Sequence, residues 1–185
     1  MHFIIIPGLD GSDDNHWQSR WESGWLHGAT RIAPASWTHP DLDDWTAAID
    51  TAVRRHPDDD IVLITHSLGC LAAAHWLTTA SHTVRGVFLV APPDQLAPTF
   101  PTALIPAFAS IDPAPLGLPA VLIASEDDPY CTVEAADRLA TAWAVPLITT
   151  GRHGHLNSDS DLGEWPVGQQ LLTSFLEPFR VEDRS

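Results

Sequence analysis

Ile61-Val-Leu-Ile-Thr-His-Ser-Leu-Gly-Cys70 runs from an apolar, β-branched segment straight into Thr65-His66-Ser67-Leu68-Gly69, and Ala72, Ala73, Ala74, Trp76 and Leu77 then read as a helix. The pattern is strand, sharp turn, helix. A serine at such a corner is lifted above the carboxyl edge of a sheet, with the positive end of the helix behind it and the amides of its own turn free to bind an anion. A serine that merely caps a helix is the plainer alternative. Capping does not call for Gly69 two residues on, whereas a nucleophile elbow does, because bulk there would press on the neighbouring backbone. Thr65 departs from the G-x-S-x-G pattern, standing where its first glycine would be.

The flanking chain supplies more strands of the same kind. Phe3-Ile-Ile-Ile6 is a fully apolar strand ending in the tight turn Pro7-Gly-Leu-Asp-Gly11. Ser12 to Asn15 offer capping oxygens to a helix that carries Trp17, Trp21 and Trp25 on one face, where they read as core. Arg31 to Ser36 is a weaker second strand, and Asp41 caps a helix whose Leu42, Trp45, Ile49 and Val53 repeat at three and four residues. Gly86–Val90, Ala120–Ala124 and Val145–Thr149 are three more strands, with helices over Val133–Trp143 and Val167–Phe179. Six strands alternating with helices call for an α/β fold: a doubly wound, mostly parallel sheet covered on both faces. Residues 92–119 hold eight of the sixteen prolines and lack a regular period. Their Phe100, Leu104, Ile105, Phe108 and Ile111 want burial, so the segment is expected to be a packed excursion beside the active-site edge, forming a small lid.

Composition narrows the function. A chain of 185 residues suits one domain, here residues 1–185, with no apolar run near the roughly 18 residues that a bilayer demands. Every basic residue is arginine, and the formal charge of −15 argues against a nucleic-acid backbone or an anionic membrane as partner. Met1 to Gly8 reads as a strand and lacks the features of a signal peptide, and two cysteines are too few for a disulfide framework. A cytoplasmic location is the expectation. Cys70 and Cys131 each follow a proposed catalytic residue by three positions, which suggests proximity, although two buried small hydrophobes is the plainer reading.

In a doubly wound sheet functional groups gather at the carboxyl ends of the strands. The first strand delivers Gly8-Leu9, the third Ser67, the fifth Ser125-Glu-Asp-Asp-Pro129 and the sixth Arg152-His-Gly-His155. Nucleophile, acid and base thus follow in the order Ser, Asp, His found in α/β-hydrolases. Asp128, just before Pro129-Tyr130, is favoured as the acid, with Asp127 expected to point away; His155, after the flexible Gly154, is favoured as the base over His153. The backbone amides of Leu9 and Leu68 are the candidate oxyanion donors. His153 and His155 could supply two metal ligands, yet no H-E-x-x-H pairing accompanies them and no glycine-rich nucleotide motif occurs. Neither metal nor cofactor is expected.

Asn15-His-Trp17, Leu42-Asp-Asp-Trp45, His66-Ser-Leu-Gly-Cys70, Ser125-Glu-Asp-Asp-Pro-Tyr130, Gly154-His155 and Glu164-Trp-Pro166 together resemble the small serine hydrolases of the YdeN and retinoblastoma-binding protein 9 family, over nearly the whole chain. The resemblance implies a minimal α/β-hydrolase with little or no cap. It also implies Ser67 as nucleophile, Asp128 as acid and His155 as base, and it puts His16 and Trp17 near the site entrance as substrate contacts. Hydrolysis of a small carboxylic ester, with an amide as the lesser option, is the expected activity. The alternative is a protein-binding module that kept the fold and lost turnover, because a fold alone does not guarantee its chemistry.

Overall fold

Strands β1 (His2–Ile6), β2 (Ala29–Arg31), β3 (Ile61–His66), β4 (Gly86–Val90), β5 (Ala120–Ala124) and β6 (Leu147–Thr149) form one parallel sheet in the order β2-β1-β3-β4-β5-β6. The structure, a computed structural model, describes residues 1–57, 60–80 and 84–182, with side chains through residue 179. The four central strands are buried along their whole length, which explains their uninterrupted apolar runs: each residue meets a covering layer whichever face it points to. Alternate residues divide between two cores. Ile4, Ile6, Leu63, Leu89 and Leu122 pack on one face, and Phe3, Ile5, Ile64, Phe88 and Ile123 on the other.

Helices α2 (Leu42–Arg54), α3 (Leu68–Thr79) and α5 (Val133–Trp143) cover the first face through Trp45, Leu71, Trp76, Leu139 and Trp143. Helix α1 (Trp17–Arg20) and α6 (Pro166–Glu182) cover the second through Trp17, Leu172, Leu176 and Phe179. Asp41 caps α2 by accepting the amide of Asp44 at 2.9 Å, the expected cap.

Three local readings change. The second strand lies at Ala29–Arg31, earlier than expected; Ile32 still donates to the Ile5 carbonyl at 3.1 Å, after which Pro34, having no N–H, leaves the sheet. The helix bearing the tryptophans is a single α-turn that passes into a π-helical turn over Trp21–Trp25, and its cap is the His16 ring rather than an oxygen of Ser12 to Asn15. The last strand begins at Leu147, beyond Pro146.

Residues 92–119 form a packed excursion with one short helix, α4 (Pro106–Ala109). Phe100, Ile105 and Phe108 are buried in it, Leu104 is exposed, and the Gln95 amide staples it by donating to the carbonyls of Phe108 and Ile111 at 2.7 and 2.9 Å. Among the described residues no helix is long and apolar enough to cross a membrane.

The sheet order reverses between β1 and β3, which opens a crevice at their carboxyl ends. Helix α3 closes on β1 there without a side chain between them: a Cβ at Gly69 would fall on the carbonyl oxygens of Pro7 and Ile6. Gly69→Ala should therefore cost about 1–3 kcal/mol by overpacking, which for a chain of this size is roughly 3–10 °C in Tm. Thermal unfolding followed by circular dichroism checks this, and an unchanged Tm would mean that the approach is looser than described.

Candidate active site

Ser67 occupies the corner between β3 and α3 with φ 53° and ψ −126°, a left-handed conformation that costs a non-glycine residue about 1–3 kcal/mol. The corner is pinned on both sides: Ser67 donates its amide to the Val90 carbonyl at 2.9 Å, and the Cys70 amide donates to the Ser67 carbonyl at 2.9 Å. Glycine at position 8 lets the β1 loop reach the serine, since a Cβ there would lie 2.6 Å from the Ser67 Cβ. Thr65 tolerates the place of a glycine because its hydroxyl turns inward, donating to the Cys70 sulfur at 3.0 Å, while that thiol donates to the Val90 carbonyl at 3.3 Å. Cys70 and Cys131 are both free and buried, and burial pushes each thiol up to about 12.

Strands β5 and β6 bring the other two groups to the same edge. His155 Nε2 lies 2.8 Å from Ser67 Oγ, and its Nδ1 lies 2.9 and 2.8 Å from the two oxygens of Asp128. A carboxylate can only accept, so Nδ1 carries the proton and Nε2 is left to accept from the serine hydroxyl. Asp128 is itself held in the turn by the Tyr130 amide at 2.9 Å, and its side chain is only 2% exposed. The Tyr130 ring stands edge-on to the imidazole, 4.6 Å between centroids.

Asp127 does not point away. Its Oδ1 accepts the amide of Gly154 at 2.8 Å and the hydroxyl of Ser125 at 3.0 Å, so it touches the loop that carries the histidine. His153 is exposed and contributes a backbone amide to Ser125 Oγ at 2.9 Å.

His16 and Trp17 are more deeply placed than site-entrance residues would be. Trp17 is buried away from the cavity and donates its indole N–H to the Leu156 carbonyl at 2.8 Å, bracing the chain next to His155. His16 lines the cavity but is only 3% exposed, and its Nδ1 accepts the Gln18 amide at 3.1 Å. His66 lies between His16 and His155, with ring centroids 4.7 and 5.0 Å away, and donates Nε2–H to the His155 carbonyl at 2.9 Å. Burial, ahead of the nearby charges, pushes His16 down to about 4 and holds His66 well below the usual histidine range, so both are neutral at pH 7.

Two supporting groups lay beyond the sequence reading. Gln18, fully buried, donates its amide to the carbonyls of Ile6 and Ile64 at 3.3 and 3.1 Å, tying β1 to β3 at the crevice. Asp13 accepts the Ser158 hydroxyl at 2.8 Å and so links the β1 loop to the loop after β6. A polar residue directly after a buried tryptophan was the available signal for Gln18.

A cavity of about 490 Å³ opens over Ser67. Leu9 and Leu68 line it, and neither backbone amide makes a hydrogen bond among the described residues. Phe100, Pro101 and Ile105 of the excursion make an apolar wall, while Asp10, Asp13 and Asp159 stand on the rim. Among the described residues no group of three or more histidine, cysteine or acidic side chains is placed to hold a metal ion.

A strained serine at a strand-to-helix corner, on a parallel sheet wound on both sides, defines an α/β-hydrolase fold. The sequence profile of the serine hydrolase family matches residues 3–174. Among solved structures, a YdeN-like hydrolase of Pectobacterium atrosepticum is 34% identical, with 95% of this chain and 90% of that one covered and a TM-score of 0.82. The ydeN gene product of B. subtilis is 23% identical over 95% of this chain and 98% of that one, with a TM-score of 0.79. Est1E from Butyrivibrio proteoclasticus, solved with ferulic acid bound, shares the fold at 14% identity, with 97% and 88% covered and a TM-score of 0.68. No curated protein matches the sequence. The chain belongs to the serine hydrolase family, among its YdeN-like members.

The buried neutral histidines set a pH dependence of stability. With a folded pKa near 4 for His16 against about 6.5 unfolded, the unfolded chain binds the extra proton in that window, so stability held above pH 6.5 is lost as pH falls towards 4. Between pH 7 and 5 that loss is roughly 2 kcal/mol from His16, with His66 acting in the same direction. Urea unfolding of the wild type and of His16→Asn, which can still cap α1, should show a smaller drop in the variant. Equal drops would contradict a neutral buried His16.

Proposed function

We propose that the chain hydrolyses a small carboxylic ester, and an amide less readily, through an acyl-enzyme on Ser67. The observation that carries this reading is the unbroken hydrogen-bond line from the Ser67 hydroxyl through the His155 ring to Asp128, at 2.8 Å on the serine side and 2.8–2.9 Å on the acid side. As Ser67 Oγ bonds to the substrate carbonyl carbon, its proton passes to His155 Nε2, and Asp128 stabilises the imidazolium that forms. The carbonyl oxygen, now negative, takes hydrogen bonds from the Leu9 and Leu68 amides, each such donor being worth about a hundred- to a thousandfold in rate. Nε2 then returns the proton to the departing alcohol, breaking the ester C–O bond. Water attacks the acyl-enzyme with His155 again as base, and Ser67 leaves with its hydrogen restored.

The substrate reading follows the walls of the cavity. A volume of about 490 Å³ sits in the lower part of the range for small-ligand sites. The wall of Phe100, Pro101 and Ile105 favours an apolar acyl group, and the carboxylates on the rim, with no arginine lining the cavity, disfavour an anionic one. The reaction needs no cofactor, and two buried thiols left free accord with a cytoplasmic setting.

A fluorophosphonate probe should label the wild type and leave Ser67→Ala unlabelled. Asp128→Asn should lower kcat by about ten thousandfold. Absence of labelling on a folded wild type would favour the protein-binding alternative. In a series of p-nitrophenyl esters, kcat/KM should be highest for short acyl chains, and best activity on long-chain esters would contradict the substrate reading.

A further inference from the structure

We infer that Asp127 is a positioning residue for the base: its carboxylate, together with Ser125, clamps the backbone that carries His155. The inference rests on the hydrolase reading above, since it concerns what keeps Nε2 in reach of Ser67. The base needs such a device because of where it sits. Strand β6 is three residues long at the exposed edge of the sheet, and the loop after it turns through left-handed backbone at Gly151 (φ 86°), Gly154 (φ 56°) and Leu156 (φ 49°). Glycine at 151 and 154 makes that turn possible and also leaves it loose.

Contacts on the far side of the base come from buried rings: His66 bonds the His155 carbonyl at 2.9 Å and Trp17 the Leu156 carbonyl at 2.8 Å. On the near side the restraints come from the turn after β5. Glu126 donates its amide to the Gly151 carbonyl at 2.8 Å, Ser125 Oγ accepts the His153 amide at 2.9 Å, and Asp127 Oδ1 accepts both the Gly154 amide at 2.8 Å and the Ser125 hydroxyl at 3.0 Å. Asp127 thus joins the two halves of the clamp at one oxygen. Consecutive carboxylates divide the work, with Asp128 orienting the ring and Asp127 orienting the peptide beneath it. The Gly154 amide, first among its contacts, holds the Asp127 carboxyl below the usual carboxylate range, so the acceptor is charged at neutral pH. A surface ion pair with Arg152 is the competing explanation for Asp127. At 3.7 Å, with the arginine side chain 74% exposed, that pair contributes little.

The test compares Asp127→Ala, Asp127→Asn and Arg152→Ala with wild type, using p-nitrophenyl acetate turnover, Tm and the low-field proton resonance of the His155–Asp128 hydrogen bond. In Asp127→Ala we expect kcat to fall by about ten- to a hundredfold, as for a misplacement of order 1 Å. KM should stay within about twofold and the resonance should broaden or vanish. Asparagine keeps an oxygen for the Gly154 amide and should recover most of the rate, while Arg152→Ala should behave as wild type. A purely structural role would lower Tm while leaving kcat and the resonance unchanged, and that outcome overturns the inference. So does an asparagine variant as slow as the alanine one, which would assign the effect to charge alone. If Asp127→Ala does not fold, Ser125→Ala removes the other arm of the clamp and should give the same pattern. The resonance needs no turnover: an inactive wild type that shows it, and loses it in Asp127→Ala, would refute the hydrolase reading and leave the clamp standing.

Discussion

Two backbones meet at the crevice between β1 and β3 with no side chain between them, and the site depends on that approach. Gly69 brings the first turn of α3 onto the carbonyls of Ile6 and Pro7, and Gly8 brings the β1 loop onto Ser67. Buried Gln18 holds the same two strand ends together from the other side of the sheet. Once the approach is made, Ser67 is forced out over the edge at φ 53°, and Leu9 and Leu68 line one cavity from different segments. Strain at the serine is therefore maintained by the packing of strands that are themselves fully buried.

Ser67, Asp128 and His155 are held in different ways. Ser67 stands just past the end of a central strand flanked by β1 and β4, and is backed by α3. Asp128 sits in a tight turn that satisfies it through its own neighbour, Tyr130. His155 comes from the edge, and its position is maintained by contacts from distant parts of the chain: Trp17, His66, Ser125 and Asp127. The Trp17, Trp21 and Trp165 rings, with centroids 4.5 to 5.7 Å apart, form the block from which Trp17 reaches the Leu156 carbonyl. In the proposed mechanism, neutral His16 and His66 beside His155 leave no positive charge there to oppose its becoming an imidazolium.

Local chemistry made the centre of the molecule legible in the sequence. A β-branched run followed by His-Ser-Leu-Gly and a string of alanines has few other ways to fold, and the alternation of strands and helices leads directly to a parallel sheet. The edges are harder to read, because β2 and β6 are only three residues long: β2 starts two residues and ends five residues before its expected bounds, short of Pro34, and β6 starts two residues late, beyond Pro146. The direction of Asp127 is not legible in the sequence for a related reason. Where a carboxylate points in a turn is decided by the partner it meets, and that partner, the Gly154 amide, is 27 residues away. The resemblance puts His16 and Trp17 at the entrance; His16 lines the cavity, buried as the cap of α1, whereas Trp17 bonds the Leu156 carbonyl away from it. Such long-range pairings leave no periodic trace.

Rapid-quench mass spectrometry during turnover of a p-nitrophenyl ester tests the central claim most directly. The account predicts that the protein gains the mass of a single acyl group within the first turnover, and that peptide mapping puts it on Ser67. Steady turnover with no acylated protein, or with the acyl group on another residue, would contradict it.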